Sequence, residues 1–249
     1  MVRFGKKCFA AMMCWMAALM GYGEAAPSAL PQWFIPLRDA IYEQTLMADE
    51  IAVLYRETLH KAEAALAGAP LSLMRSRCAY MMGRAYLYEK RKDEALACFE
   101  EGMEEARASL DAAVSPEAWV MLAENLSQSC ILRPVSYVIV HGLEVDRYAK
   151  NALDLDAGNT AARYLIASRW VYAPAPFHNH RKGIQMMEDI LNTYAARLER
   201  DDRFNVNIAI GYAYLEQKKF REAEAALNRA RAVYPSNKYL QELLDKTKS

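Results

Sequence analysis

The side chains best suited to chemistry are few in this 249-residue sequence, and they lie apart. His178 and His180 form a His-x-His pair, a spacing at which two imidazoles can share a metal ion. No carboxylate or cysteine stands close by to complete a ligand set, so the pair reads as two surface histidines of an inserted loop and no metal site is expected. Asp154-x-Asp156-x-Gly158 has the start of a calcium loop, but Leu165 stands where the closing bidentate glutamate belongs, and the stretch reads better as a turn between helices. No Gly-rich phosphate loop, Gly-x-Ser-x-Gly or His-Glu-x-x-His occurs. These readings point away from an enzyme, and no cofactor is expected.

The opening residues differ from the rest. Arg3, Lys6 and Lys7 form a basic start, and Cys8 to Gly23 is apolar and uncharged, the pattern of a secretory signal peptide. Small residues at Gly23 and Ala25 place cleavage after Ala25, giving a signal over 1–25 and an exported, periplasmic protein. A retained membrane anchor is the alternative, although the apolar run is shorter than the roughly 20 residues that span a bilayer. Cleavage takes three of the 31 basic and one of the 31 acidic residues, leaving 28 and 30. A nearly neutral chain offers no field for nucleic acid, which is excluded as a partner. Cys78, Cys98 and Cys130 remain, each in an apolar helical stretch where cysteine acts as a small buried hydrophobe; a Cys78–Cys98 bridge is the lesser alternative.

The elements that position these groups come from an internal repeat. Ile210-Gly211-x-x-Tyr214 is followed by Phe220, Ala223, Leu227, Ala230 and Pro235, and upstream the same offsets recur as Met82-Gly83-x-x-Tyr86, Ala95, Phe99 and Gly102. Both stretches resemble the tetratricopeptide repeat, a 34-residue helical hairpin in which a small residue lets the two helices approach. Degenerate copies lie between them. One covers 116–157, with about ten residues more between its helices than the pattern expects; the other covers 160–197 and carries the insertion Val171 to His180. A cryptic opening copy spans 37–70 after a lead-in over 26–36, and a cap helix spans 237–247. With sound copies at 76–110 and 204–235, residues 37–249 are expected to form an all-α, right-handed superhelical array of four to five antiparallel helix pairs.

In such an array the first helix of each pair faces inward. Its offsets select Arg77, Tyr80, Arg84 and Tyr88, then Glu124 and Gln128, then Tyr164, Ser168 and Tyr172, then Asn205 and Tyr212. Five tyrosines on one face would make an amphipathic lining suited to a protein partner or a moderately apolar ligand, unless several pack between repeats. The loop Pro174, Ala175, Pro176, Phe177, His178, Asn179, His180 is stiffened by its prolines. It can form a wall or lid, or Phe177 can staple it to its own helices.

A signal peptide, cryptic repeats and the insertion running from Arg169 to Gly183 together resemble the periplasmic T component associated with TRAP transporters. That resemblance implies a partnership with the transporter's solute-binding protein, a hydrophobic or organic-acid ligand, and self-association. A carrier of a small ligand and a structural envelope scaffold are the alternative roles.

Overall fold

The computed structural model describes residues 30–248, among which there are eleven α-helices, one 3₁₀ turn and no strand. The expected signal peptide, with Cys8 and Cys14, and residues 26–29 of the expected lead-in lie outside the described residues. The helices are α1 (Ile35–Glu43), α2 (Ala48–Ala65), α3 (Gly68–Tyr88), α4 (Lys92–Ala112), α5 (Pro116–Leu132), α6 (Val135–Leu155), α7 (Thr160–Tyr172), α8 (His180–Thr193), α9 (Arg200–Glu216), α10 (Phe220–Arg231) and α11 (Lys238–Lys246). Their starts are written in the sequence: Ser115, Asn159, Asn179 and Asn237 each accept a backbone N–H of the following first turn, and Pro116 opens α5 where no amide donor is needed.

Consecutive helices pair into five antiparallel hairpins, α1–α2 to α9–α10, each stacked on the next, with α11 as the cap. The two well-formed copies share their physics position by position. A Cβ on Gly83 would come within 2.6 Å of the Phe99 ring, and one on Gly211 within 2.5 Å of Leu227, so only glycine permits each close crossing. Phe99 and Leu227 are fully buried. Both hairpins turn through a left-handed lysine, Lys90 or Lys218, and both close with an amide bonded back to the tyrosine carbonyl, Arg91 to Tyr86 and Lys219 to Tyr214.

The degenerate parts differ from expectation in two places. The ten additional residues of 116–157 form no loop: α5 and α6 are joined by Arg133 and Pro134 alone, and the excess lengthens α6 to 21 residues against 13 in α7. The first half of α6 therefore projects past its neighbour with Val135, Ile139, Val140 and Leu143 about two-thirds exposed. At the front, Pro70 does not close the opening hairpin. It sits in the first turn of α3, where a missing amide costs nothing, so α3 begins eight residues before the expected repeat start at 76.

Helix α1 does more than open the array. Its Tyr42 ring stacks on Tyr234 at 5.0 Å and meets Phe204 edge-on at 5.7 Å, joining the first hairpin to the last. Asn237 donates to the Tyr42 carbonyl at 2.7 Å, and the Tyr234 hydroxyl donates to Asp39 at 2.8 Å. Around this aromatic core Arg38 pairs with Glu199 and Asp201, and Arg200 pairs with Asp39 and Glu43. Phe34, Leu37 and Ile41 are buried beneath the contact. The inner helices α1, α3, α5, α7 and α9 thus form a closed ring.

All three described cysteines are free, Cys78 buried and Cys98 and Cys130 half-buried, so the Cys78–Cys98 bridge is absent. Burial pushes the Cys78 thiol up to about 12. In protein beginning after residue 25, a thiol reagent is expected to find three reduced cysteines in denaturant and to reach Cys78 last in the native state; titration of a single thiol would contradict the structure.

Candidate functional site

The ring encloses a cavity of about 500 Å³, within the range of small-molecule sites. Eight of the eleven inward residues selected from the repeat offsets line it: Tyr80, Arg84, Glu124, Gln128, Tyr164, Ser168, Tyr172 and Asn205. They arrive from four helices because inner helices of successive hairpins stand side by side, so positions one repeat apart face one space. The other three sit around it. Tyr212 packs its ring 5.2 Å from Tyr172, and Tyr88 lies in an adjoining groove of about 360 Å³ that shares Tyr239 with the cavity. Arg77 is surrounded by the charges of Glu117, Glu124, Asp201 and Glu199.

Arg84 is the most constrained of these groups. Its guanidinium lies over the Tyr42 ring at 4.4 Å and within 6 Å of the Tyr80 and Tyr88 rings, and it donates to the Tyr42 hydroxyl at 2.6 Å and to that of Tyr88. Asn205 donates to the same Tyr42 oxygen at 2.9 Å, so both lone pairs of that hydroxyl are used. The closing helix and the cavity therefore meet at one residue.

Opposite Arg84 lie carboxyls that resist ionisation. Burial pushes Glu124 up to about 8, with Asp202 and Asp201 adding repulsion and Arg84 and Arg77 pulling back. Burial and Asp201 together push Asp202 up to about 7 despite a 2.6 Å hydrogen bond from Thr160. Both side chains still touch water, because the protein surrounds them across an open cavity. The rest of the lining is largely apolar and aromatic, with Ile131, Val138, Val145, Leu165, Tyr172 and Tyr239, and includes the Arg169–Asp146 ion pair.

The inserted loop contributes less than its sequence suggests. Beyond α7 only Ala173 and Pro174 reach the cavity, while Phe177 is 71% exposed and neither walls the cavity nor staples the loop. Pro176 and His178 are exposed too, and His180 opens α8. The loop is held instead through Trp170, whose carbonyl accepts the Asn179 amide at 2.8 Å and whose ring carries the Lys182 ammonium at 3.8 Å. His178 and His180 stack flat at 4.4 Å, and among the described residues no group of three or more His, Cys, Asp or Glu is placed to hold a metal. Asp156 serves the inter-hairpin turn, accepting from the Gly158 amide and from Arg197.

Residues 76–109 and 204–237 match the tetratricopeptide repeat model. Two of its five hairpins are thus similar to tetratricopeptide repeats. The matches fall on α3–α4 and α9–α10, the hairpins built on Gly83 and Gly211, and the second ends at Asn237, just before α11. No curated protein matches the chain. Tetratricopeptide repeats in general mediate protein–protein contacts and act as scaffolds without chemistry of their own.

Sequence reasoning missed Tyr42, Tyr239 and the Asp201–Asp202 pair. The two tyrosines belong to short helices at opposite ends of the chain, and no local pattern reveals that ring closure brings them to one space. The acidic pair looks like an ordinary first turn of α9, where carboxylates favour the helix N-terminus.

Proposed function

We propose that this tetratricopeptide-repeat chain is an exported binding protein, without enzymatic activity, that encloses a small amphipathic ligand within its ring. One observation carries the reading: closure by α1 turns the open concave face expected of the array into a cavity of ligand size, polar at Arg84 and Glu124 and largely apolar and aromatic elsewhere. A long partner helix cannot lie along such a face. Periplasmic residence rests on the basic and apolar residues 3–23, and association with a TRAP transporter rests on the Arg169–Gly183 insertion. Native mass spectrometry of protein purified from its own compartment is expected to show a bound small molecule that is lost in Tyr164→Ala. A clean apo mass from that source would contradict the carrier role.

A protein partner is the second element, supported by the projecting half of α6. Ile131 lines the cavity and is also 66% exposed, so the apolar face formed with Val135, Ile139 and Leu143 runs continuously from cavity to surface. This face suits a solute-binding protein that exchanges ligand there. Ile139→Asp is expected to abolish co-purification of that partner while leaving ligand bound, and unchanged recovery would count against the rim as its seat.

A further inference from the structure

Glu124 has no hydrogen bond and no ion pair among the described residues, although it lines the same cavity as Arg84 and is flanked by charge on two sides. From α3 it faces Arg77, Tyr80 and Arg84; from α9, Asp201 and Asp202; from α7, Tyr164. Helix α6 presents Asp146, which is paired with Arg169 of α7, and α4 meets the other side of α5 through Gly102 against Asn125 and through Glu100 to Arg133. Of the cations near it, Arg84 is bonded only to neutral hydroxyls, and Arg77 makes no ion pair among the described residues. The positive charge nearest the cavity therefore awaits an anion, and Glu124 is the group able to supply it from within or to leave it for a ligand.

We propose that Glu124 sets which charge the cavity accepts: as the neutral acid it leaves Arg84 free for an anionic head group, and as the carboxylate it satisfies Arg84 and turns such a head group away. This rests on the cavity being the ligand site. The chemistry of the surroundings makes the exchange sharp, because an added negative charge in a space walled by protein interacts far more strongly than in water. Burial holds both Glu124, at about 8, and Asp202 above the ordinary carboxylate range, so each ionisation adds negative charge in a window from neutrality upward. Selectivity for anions is accordingly present below that window and lost above it, and cations gain as anions lose.

The test uses two probes of one shape and fixed charge, naphthalene-1-sulfonate and (1-naphthylmethyl)trimethylammonium, titrated calorimetrically into the whole protein at about pH 6 and about pH 9.5. The sulfonate is expected to bind roughly tenfold more weakly at the higher pH and the ammonium compound more tightly. Glu124→Gln keeps the shape without the ionisable group, and should retain most of the low-pH sulfonate affinity at the higher pH, the remaining loss coming from Asp202. Asp202→Asn should retain the step but move it to lower pH, because its repulsion of Glu124 is gone. Binding of both probes without pH dependence, or a full pH effect persisting in Glu124→Gln, would overturn the assignment to Glu124 while leaving the cavity as a ligand site. Failure of either probe to bind at any pH would remove the cavity reading and Glu124's role together.

Discussion

Tyr42→Ala is expected to lower the unfolding free energy by about 3–5 kcal/mol, the range for deleting a fully buried aromatic ring. The ring fills the space between Tyr234 and Phe204, which belong to the last hairpin and its exit, so its loss separates the two ends of the array at their common core. Tyr42→Phe keeps the packing but withdraws the acceptor used by Arg84 and Asn205, and about 1 kcal/mol is expected, because two half-buried donors lose a partner. Urea unfolding of the three proteins separates packing from hydrogen bonding. A Tyr42→Ala midpoint equal to that of the wild type would mean that α1 does not close the ring.

Gly102→Ala is the second large effect. A Cβ there would collide with the carboxamide of Asn125, which is fully buried and held by the Met121 carbonyl at 2.8 Å and the Ser76 hydroxyl at 3.3 Å. Ser76 in turn donates to the Gly102 carbonyl at 2.7 Å, so displacing Asn125 strains a polar network that joins α3, α4 and α5. Overpacking together with a broken buried hydrogen bond is worth about 2–4 kcal/mol. The double variant Gly102→Ala with Asn125→Ala should recover part of the loss, and a double-mutant cycle on thermal unfolding measures that coupling. Additive losses would show that the clash is relieved elsewhere.

These two sites mark what the sequence reveals and what it does not. Gly83 and Gly211 occupy a repeat position, so their role at a close helix crossing follows from the motif, and so does the inward placement of Tyr80, Arg84, Glu124 and Tyr164. Gly102 also belongs to the repeat pattern, but its partner Asn125 stands in a degenerate copy where register is weak. Ring closure was illegible for a different reason. Tyr42 and Tyr234 are 192 positions apart, and nothing in either local pattern encodes their stacking. The length of α6 was visible as about ten surplus residues, but whether surplus residues loop out or extend a helix depends on the absence of any further proline in the stretch after Pro134 and on Gly142 standing alone among helix-compatible residues, a feature the spacing alone does not weigh.

The closed ring is the claim on which cavity, ligand and selectivity all depend, and a distance between its ends tests it most directly. With Cys78, Cys98 and Cys130 replaced by alanine, spin labels at Thr45, just past α1, and Arg231, at the end of α10, occupy exposed positions beside the closing contact. Pulsed electron–electron double resonance is expected to give one short, narrow distance distribution, which Tyr42→Ala broadens and lengthens. A long or broad distribution in the otherwise native protein would contradict the closed ring and return the concave face to an open groove.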